Sequence, residues 1–214
     1  MALASVRNGH RISAAGTVGW MALTAMMLQA GTACAAPVRY TVNASKSKLL
    51  LHAQEAGLVS ATRTLAAGDF SGTVDFDRNT MLPTAMSMRV KTASIKSVDN
   101  LSASDRAMID RHVQDDALEA GKFPIISYQS SRVVAKKTAA GQYDVRVIGI
   151  LTLHGVSQTL VLHPTATIFG GTLRAKGSFS ITQTPFKITL LSLMGGAISV
   201  ADPVSFDYDM VVQK

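Results

Sequence analysis

Apolar and polar side chains alternate with a period of two over much of the chain after residue 40. In the stretch 70–77, for example, Val74 and Phe76 alternate with Asp75 and Asp77. Such alternation places one face of a strand in a core and the other face in water. The same pattern predicts strands at residues 40–43, 47–54, 70–77, 86–91, 126–128, 143–153, 160–162, 173–181 and 206–212. About eight such strands, separated by turns that contain Gly, Asn or Asp, indicate an antiparallel barrel or sandwich.

Glycine and proline mark the ends of several of these strands. Gly170 and Gly171 are adjacent, which predicts a tight turn between two strands. Pro83 and Pro203 are expected to precede strands, because a residue without a backbone N–H does least harm there.

One segment, residues 94–124, departs from the alternation and predicts a helix. Ser102 is placed to cap this helix, and Asp105 is placed to return the hydrogen bond. Gly121 and Pro124 are expected to end it. Apolar residues recur in it at helical spacing, namely Ala107, Met108, Ile109, Val113, Ala117 and Leu118. We expect the helix to pack over one end of the barrel, either as a lid that closes a core or as a gate to a cavity.

The first 35 residues have the composition of a secretory signal peptide. Arg7 and Arg11 are followed by an uncharged stretch with a short apolar run, and small residues then lead to Ala33-Cys34-Ala35, a typical cleavage site. The apolar run is too short for a membrane-spanning helix, which needs about 20 apolar residues. We therefore predict a signal peptide over residues 1–35 and a mature domain over residues 36–214. An uncleaved anchor and a lipid-modified Cys34 are the less favoured alternatives.

Removal of the signal peptide changes the charge and the cysteine count. The 214 residues carry a net charge of +7, and cleavage after Ala35 leaves 179 residues with a net charge of +5. Cys34 and Trp20, the sole Cys and Trp, leave with the peptide, so the mature domain suits an oxidising compartment. Its Lys and Arg residues are scattered, which argues against a nucleic-acid binder. The net charge still gives mild attraction to an anionic membrane surface.

Three stretches carry motifs beyond simple alternation. Residues 68–77 read GDFSGTVDFD, residues 149–157 read GILTLHGVS, and in residues 101–131 the predicted helix is followed by KFPIISYQSS. In order and spacing they resemble three motifs of one family. These motifs are a Gly-x-Phe-x-Gly strand, a Gly-x-Leu-Thr-Leu-His/Asn-Gly-Val-Thr hairpin, and a helix followed by Tyr/Phe-Pro-x-x-x-Phe/Tyr-x-Ser. The family is the YceI-like family of secreted, lipocalin-like barrels, and the resemblance extends from about Tyr40 to the end of the chain.

The resemblance implies a closed eight-stranded antiparallel barrel, all-β and lipocalin-like, with the inserted helix covering one end. Characterised members of the family bind a long isoprenoid or another amphiphilic lipid in an apolar lumen. A solid core filled by the same side chains is the alternative, although Ala175 and Gly177, on a strand of larger residues, favour open space. The inward-facing residues expected to line the lumen are Leu49, Leu51, Phe70, Val74, Phe76, Met86, Met88, Tyr128, Leu151, Leu160, Phe179, Phe206 and Tyr208.

The stretch that joins the second predicted strand to the Gly-x-Phe strand departs from the family pattern. Several relatives carry histidines there, whereas residues 56–67 contain none. Arg63 is a candidate to hold an anionic head group instead, and a solvated loop arginine is the favoured alternative.

The four histidines of the mature domain form no catalytic or metal-binding motif. His52, His112, His154 and His163 lie in no His-x-His or His-Glu-x-x-His pattern, and no nucleophile elbow, P-loop or dinucleotide fingerprint occurs. His154 is expected to bond nearby backbone in a hairpin turn. His52 and His163 are expected to be exposed on strands, and His112 to join an acidic surface cluster. We therefore expect no enzyme, no metal site and no cofactor other than a bound isoprenoid or quinone-like lipid.

These observations predict a periplasmic binding protein that carries an isoprenoid or a similar amphiphilic lipid. A filled-barrel structural or stress-related interaction protein without a ligand is the first alternative, and a lipid-modifying enzyme with His154 as its base is the second. The expected partner is a hydrophobic or amphiphilic small molecule and not nucleic acid. Transient contact with an anionic membrane surface and a homodimer are both compatible with the sequence.

Overall fold

Strands make up most of the protein in the computed structural model, which describes residues 36–57, 60–193 and 198–214. The predicted signal peptide over residues 1–35 lies outside the described residues. The strands are β1 (Val38–Val42), β2 (Lys48–Gly57), β3 (Ala61–Ala67), β4 (Phe70–Phe76), β5 (Pro83–Lys91), β6 (Ile95–Ser97), β7 (Ile125–Ala139), β8 (Gln142–Leu153), β9 (Val156–Leu162), β10 (Thr165–Phe169), β11 (Thr172–Thr182), β12 (Ser192–Leu193) and β13 (Ile198–Gln213). The predicted helix is α1 (Ala103–Arg111), which continues as a π-helical segment over His112–Ala117.

Eight of these strands form a closed antiparallel ring in the order β1-β4-β5-β7-β8-β10-β11-β13. The last strand returns to the first, with Thr41 opposite Gln213 and Val42 opposite Val212. Closing a sheet on itself removes its free edges and gives every inward side chain a place in the interior. The predicted eight-stranded barrel is confirmed, and the sandwich that alternation alone also allowed is excluded.

Three further strands lengthen the wall at one end of the barrel. β2 pairs with residues 198–209 of β13, β3 pairs with β2, and β6 pairs with β3. The histidine-free stretch 56–67, expected to be a loop, is therefore mostly strand, because β3 occupies Ala61–Ala67. Arg63, Leu65 and Ala67 share its inner face, and the alanines of this stretch hide the alternation in the sequence.

The described part of the wall contains a seam, between β9 and β11, that lacks strand pairing. Among the described strands, β9 pairs with β8, whereas β11 pairs with β10 and β13 but not with β9. The chain after β11 makes a short turn at Thr184–Phe186 that packs against β9, where Gln158 Nε2 donates to the Pro185 carbonyl oxygen at 3.5 Å. Phe186 and Ile188 are buried here. This segment therefore covers the barrel wall beside the seam.

Prolines and glycines shape two of the strand connections. Pro83 begins β5 as predicted, but Pro203 lies inside β13 instead of before it. The register between β13 and β2 shifts between Val200 and Val204, and such an irregularity accommodates the missing N–H. Gly170 and Gly171 have φ angles of 55° and 76° and form the predicted tight turn between β10 and β11.

The inserted helix begins where the sequence predicts and ends earlier. Ser102 Oγ accepts a hydrogen bond from the Asp105 amide at 3.1 Å, as predicted. Asp105 returns a bond, but it accepts from the Ser102 hydroxyl at 2.7 Å and not from the Ser102 backbone N–H of a capping box. The helical hydrogen bonds end at Leu118, whose amide bonds the Val113 carbonyl oxygen at 2.9 Å. The left-handed residue that follows is Glu119, with φ 43°, and not Gly121. No helix among the described residues has the length and apolarity to cross a membrane.

Candidate ligand-binding cavity

The barrel encloses a cavity of about 290 Å³. This volume lies near the lower end of the range for small-molecule pockets, about 300–1,000 Å³. Eleven of the thirteen residues that the sequence places in the lumen line it, namely Leu49, Leu51, Val74, Met86, Met88, Tyr128, Leu151, Leu160, Phe179, Phe206 and Tyr208. The interior of the barrel is therefore not a solid core.

Phe70 and Phe76, the other two predicted lumen residues, are buried but do not line the cavity. Phe76 is 2% exposed and packs against Tyr40 with ring centroids 4.9 Å apart. Both phenylalanines belong to the packed core, so we leave them out of the proposed ligand site. Alternation identifies the inner face of a strand, but it does not distinguish side chains that fill space from those that border it.

The helix contributes part of the cavity wall. Its residues Met108, Ile109, Val113, Ala117 and Leu118 line the cavity. Ile188 and Leu191, from the segment after β11, line it as well. The helix therefore closes a cavity and not a solid core. No pattern in the sequence indicates the contribution of Ile188, because this segment has no regular apolar period.

Further lining residues come from strands that the sequence had placed correctly. Val145 and Val147 of β8 and Leu173 of β11 face the cavity, and each is buried. Phe179 and Phe206 stack in the wall with centroids 4.7 Å apart and an angle of 3° between their rings. The cavity is thus bordered mainly by aliphatic and aromatic carbon, which suits a hydrocarbon chain.

Two tyrosines in the wall lie over glycines. A Cβ on Gly149 would come within 2.6 Å of Tyr128 Cζ, and a Cβ on Gly177 would overlap the Tyr208 ring. Gly177 therefore provides room for Tyr208 and not the open space that the sequence suggested. Ala175 does line the cavity.

The two phenols differ in their hydrogen bonding. The Tyr128 hydroxyl lies 3.2 Å from the carbonyl oxygens of both Val147 and Leu160 and shares its proton with them. Among the described residues, the Tyr208 hydroxyl is the one buried side-chain polar atom without a hydrogen-bond partner. Burial raises the pKa of Tyr128 to about 12. Burial, with a smaller contribution from Tyr128, raises the pKa of Tyr208 to about 12 as well.

One ion pair faces the cavity. Glu55 and Arg63 both line it, and Arg63 Nε donates to Glu55 Oε1 at 2.9 Å. Arg63 Nη1 lies 4.0 Å from Asp99 Oδ2. The hydrogen bond to Glu55, aided by the charges of Glu55, Asp99 and Asp105, raises the pKa of Arg63. Arg63 is therefore an inward-facing strand residue and not the solvated loop arginine that the sequence favoured.

The histidines are distributed over the barrel and do not converge on one site. His163 is exposed, as predicted, whereas His52 is about a quarter exposed and lies 3.1 Å from Asp207. His112 bonds Asp116 at 2.6 Å and lines the cavity, so it is more than a surface residue. His154 contacts a backbone carbonyl, but this is the carbonyl of Phe186, 32 residues away and not in its own turn, and it also contacts Glu119. Within the described part of the chain, no three His, Asp, Glu or Cys side chains are grouped to hold a metal ion.

Solved structures share this fold. The crystal structure of BcnA from Burkholderia cenocepacia superimposes with a TM-score of 0.62 at 23% identity, covering 79% of this chain and 98% of that one. A polyisoprenoid binding domain from Saccharophagus degradans, implicated in plant cell wall breakdown, gives a TM-score of 0.59 at 11% identity, covering 81% and 97%. The YceI protein of Campylobacter jejuni gives 0.53 at 20% identity, covering 70% and 84%.

The sequence itself matches a family model over most of its length. No curated protein matches the chain. The model of the YceI-like domain, however, matches residues 40–212, a range that begins in β1 and ends in β13. It therefore includes every strand of the closed ring and the helix that borders the cavity. The chain belongs to the YceI-like family.

Proposed function

We propose that the mature chain is a periplasmic carrier that holds an isoprenoid or a similar amphiphilic lipid inside its barrel. The observation that supports this most directly is the cavity of about 290 Å³, bordered by aliphatic and aromatic side chains. Burial of a hydrocarbon chain contributes about 0.8 kcal/mol per methylene group. Ten methylene groups would therefore supply roughly 8 kcal/mol before the cost of ordering the ligand.

The eleven lining residues predicted from the sequence form the body of the proposed site. Met86 and Met88 of β5 both belong to it. Methionine is flexible and polarisable, so it adapts to chains of different shape. The match to a polyisoprenoid binding domain at the level of fold agrees with this assignment. An apolar cavity of this kind favours a carrier over a filled-barrel interaction protein.

A binding protein also fits the described residues better than an enzyme. Catalysis of acyl transfer needs a nucleophile, a base and an oxyanion site in mutual contact. In the cavity wall, the titratable groups are separate: Glu55 pairs with Arg63, His112 with Asp116, and Tyr128 with backbone carbonyls. His154, the base of the lipid-modifying alternative, does not line the cavity.

Transient contact with an anionic membrane surface would give such a carrier access to its lipid. Phe169, at the tip of the β10–β11 hairpin, is 86% exposed, and an exposed aromatic side chain partitions into a membrane interface. Sedimentation with vesicles that contain phosphatidylglycerol tests this contact. We expect Phe169→Ser to co-sediment less than the wild-type domain, and equal co-sedimentation would argue against the contact.

The decisive experiment is extraction of the purified domain. The domain is expressed with its signal peptide, purified from the periplasm, denatured and extracted with organic solvent for mass spectrometry. A stoichiometric isoprenoid or fatty acyl species is the expected result. An empty extract, together with no thermal stabilisation by added quinones or polyprenols, would overturn the proposal and favour the filled-barrel alternative.

A cavity-filling variant provides the matched test. Ala175 lines the cavity from β11, and Ser178 of the same strand is exposed. Ala175→Trp should lose the bound lipid, whereas Ser178→Trp should retain it. Because Trp20 lies before the predicted cleavage site, each introduced Trp is the sole Trp of the mature domain and reports on folding by fluorescence.

A further inference from the structure

Both ring nitrogens of His154 face hydrogen-bond acceptors. Nε2 lies 2.7 Å from Glu119 Oε2, and Nδ1 lies 3.1 Å from the carbonyl oxygen of Phe186. The His154 side chain is 9% exposed, whereas that of Glu119 is 41% exposed. A neutral imidazole has one N–H and satisfies one acceptor only. Both acceptors are satisfied together only when each ring nitrogen carries a proton, as in an imidazolium.

The residues around this contact have unusual backbone angles. Glu119, His154 and Lys187 have φ angles of 43°, 51° and 61°. They are three of the four non-glycine residues with positive φ in the described chain, and the fourth is Met81. A non-glycine residue in this region costs energy and is retained where surrounding contacts hold it. His154 contacts Glu119 itself, and it contacts Phe186, which directly precedes Lys187.

The contact joins the two segments that cover one end of the cavity. Ala117 and Leu118, directly before Glu119, line the cavity, and so does Ile188, directly after Lys187. His154 itself lies in the β8–β9 turn of the barrel wall. One side chain thus ties the end of the helical segment and the segment after β11 to the same point of the barrel.

The charged groups around His154 leave Glu119 as its ionic partner. Lys122 lies 3.8 Å from Glu119 Oε1 and 4.9 Å above the Phe123 ring, and Phe123 in turn packs against the His154 ring with centroids 4.3 Å apart. Lys187, beside Phe186, is exposed. Within the described residues, Glu119 is the carboxylate within ion-pair distance of the imidazole.

We propose that His154 is a proton-controlled clasp that closes this end of the cavity and regulates ligand exchange. This inference rests on the proposed lipid-binding function. When the imidazole is protonated, it bonds the helical segment and the segment after β11 at the same time. When it loses its proton at higher pH, one of the two bonds is lost and the cover loosens. Ligand exchange therefore becomes faster as the pH rises.

The test uses the mature domain loaded with diphenylhexatriene, an uncharged fluorescent hydrocarbon. Its release into excess lipid vesicles is followed by fluorescence between about pH 5 and pH 8, the range in which histidine changes charge. Loss of one charge-assisted hydrogen bond predicts that the probe is released about tenfold faster at about pH 8 than at about pH 5. If the domain does not bind the probe, the proposed function fails. If it binds the probe but releases it at a rate independent of pH, the clasp is overturned.

Two variants separate the clasp from a general effect of pH. Glu119→Gln should release the probe slowly at every pH, because an amide both accepts from an N–H and donates to a bare ring nitrogen. His154→Asn should release it fast at every pH, and asparagine tolerates the positive φ of this turn. A wild-type pH profile in both variants would overturn the proposal.

A matched control comes from another histidine with a carboxylate partner. His52→Asn removes the contact with Asp207, and His52 does not line the cavity. This variant should keep the wild-type pH profile, and a flat profile in His52→Asn would overturn the proposal. Imidazole nitrogen NMR provides a readout that does not depend on binding. A singly protonated His154 at about pH 5 would overturn the proposal.

Discussion

The ring of Tyr208 lies across the inner face of Gly177, its cross-strand neighbour on β11. A Cβ at position 177 would overlap the phenol oxygen and approach Cζ to 2.7 Å. The missing side chain of Gly177 therefore lets the tyrosine lie against the wall instead of projecting into the cavity. Tyr128 uses Gly149 in the same way on the other side of the β9–β11 seam.

Substitution of Gly177 by alanine should destabilise the domain. The added methyl group must displace the Tyr208 ring, and overpacking of this kind costs about 1–3 kcal/mol. Urea unfolding measures the effect. Gly121→Ala is the control, because a Cβ there meets nothing within 4 Å, and it should be close to neutral. An equal cost of Gly177→Ala in the Tyr208→Leu background would contradict this explanation.

Removal of the two phenol oxygens should have different effects on stability. Tyr128→Phe removes a proton shared between the carbonyl oxygens of Val147 and Leu160, so we expect a loss of about 1 kcal/mol. Tyr208→Phe removes a buried hydroxyl without a partner in the described chain, so we expect stability to be unchanged or to rise by about 1 kcal/mol. Denaturant midpoints at neutral pH compare the two variants. Destabilisation by Tyr208→Phe would indicate that its hydroxyl has a partner in solution.

Alkaline pH should unfold the domain through the same two residues. Burial raises the pKa of Tyr128 and that of Tyr208 from 10.0 to about 12, so the folded state retains protons that the unfolded state loses. Stability from these groups is complete below about pH 10 and is lost as the pH approaches about 12, at about 1.4 kcal/mol per pH unit for each tyrosine. The free energy of unfolding is measured by urea titration across this range. In each Tyr→Phe variant, the free energy of unfolding should fall less steeply with pH than in the wild-type domain. Equal slopes would refute the assignment of this pH dependence to the two tyrosines.

The sequence predicts the wall of the barrel better than the contacts at its end. Period-two alternation places Val145, Val147 and Leu173 on inner faces because each strand obeys it independently of its neighbours. The clasp between His154 and Glu119 joins residues 35 positions apart, and no local pattern specifies such a contact. Ala66 and Ala67 obscure the alternation of β3, so the sequence favours a loop around Arg63. Side-chain periodicity reports which face is inward, but not how the segments that cover the barrel meet.

The charge at one end of the cavity should select against anionic amphiphiles. Arg63 is hydrogen-bonded to Glu55, lies 4.0 Å from Asp99 Oδ2 and also interacts with the negative charge of Asp105. Arg63 and Glu55 both line the cavity. One guanidinium among three carboxylates leaves a net negative charge, so an anionic head group there would meet repulsion. We expect dodecyltrimethylammonium to bind about fivefold more tightly than dodecanoate, the equivalent of about 1 kcal/mol.

Competition with bound diphenylhexatriene measures both affinities at low and high salt, because screening should reduce the difference. Glu55→Gln removes one of the three carboxylates and should bring the two affinities closer together. Asp75→Asn is the matched control, since Asp75 pairs with Arg39 and does not line the cavity. Dodecanoate binding as tightly as the ammonium compound at low salt would refute the predicted selection against anionic amphiphiles.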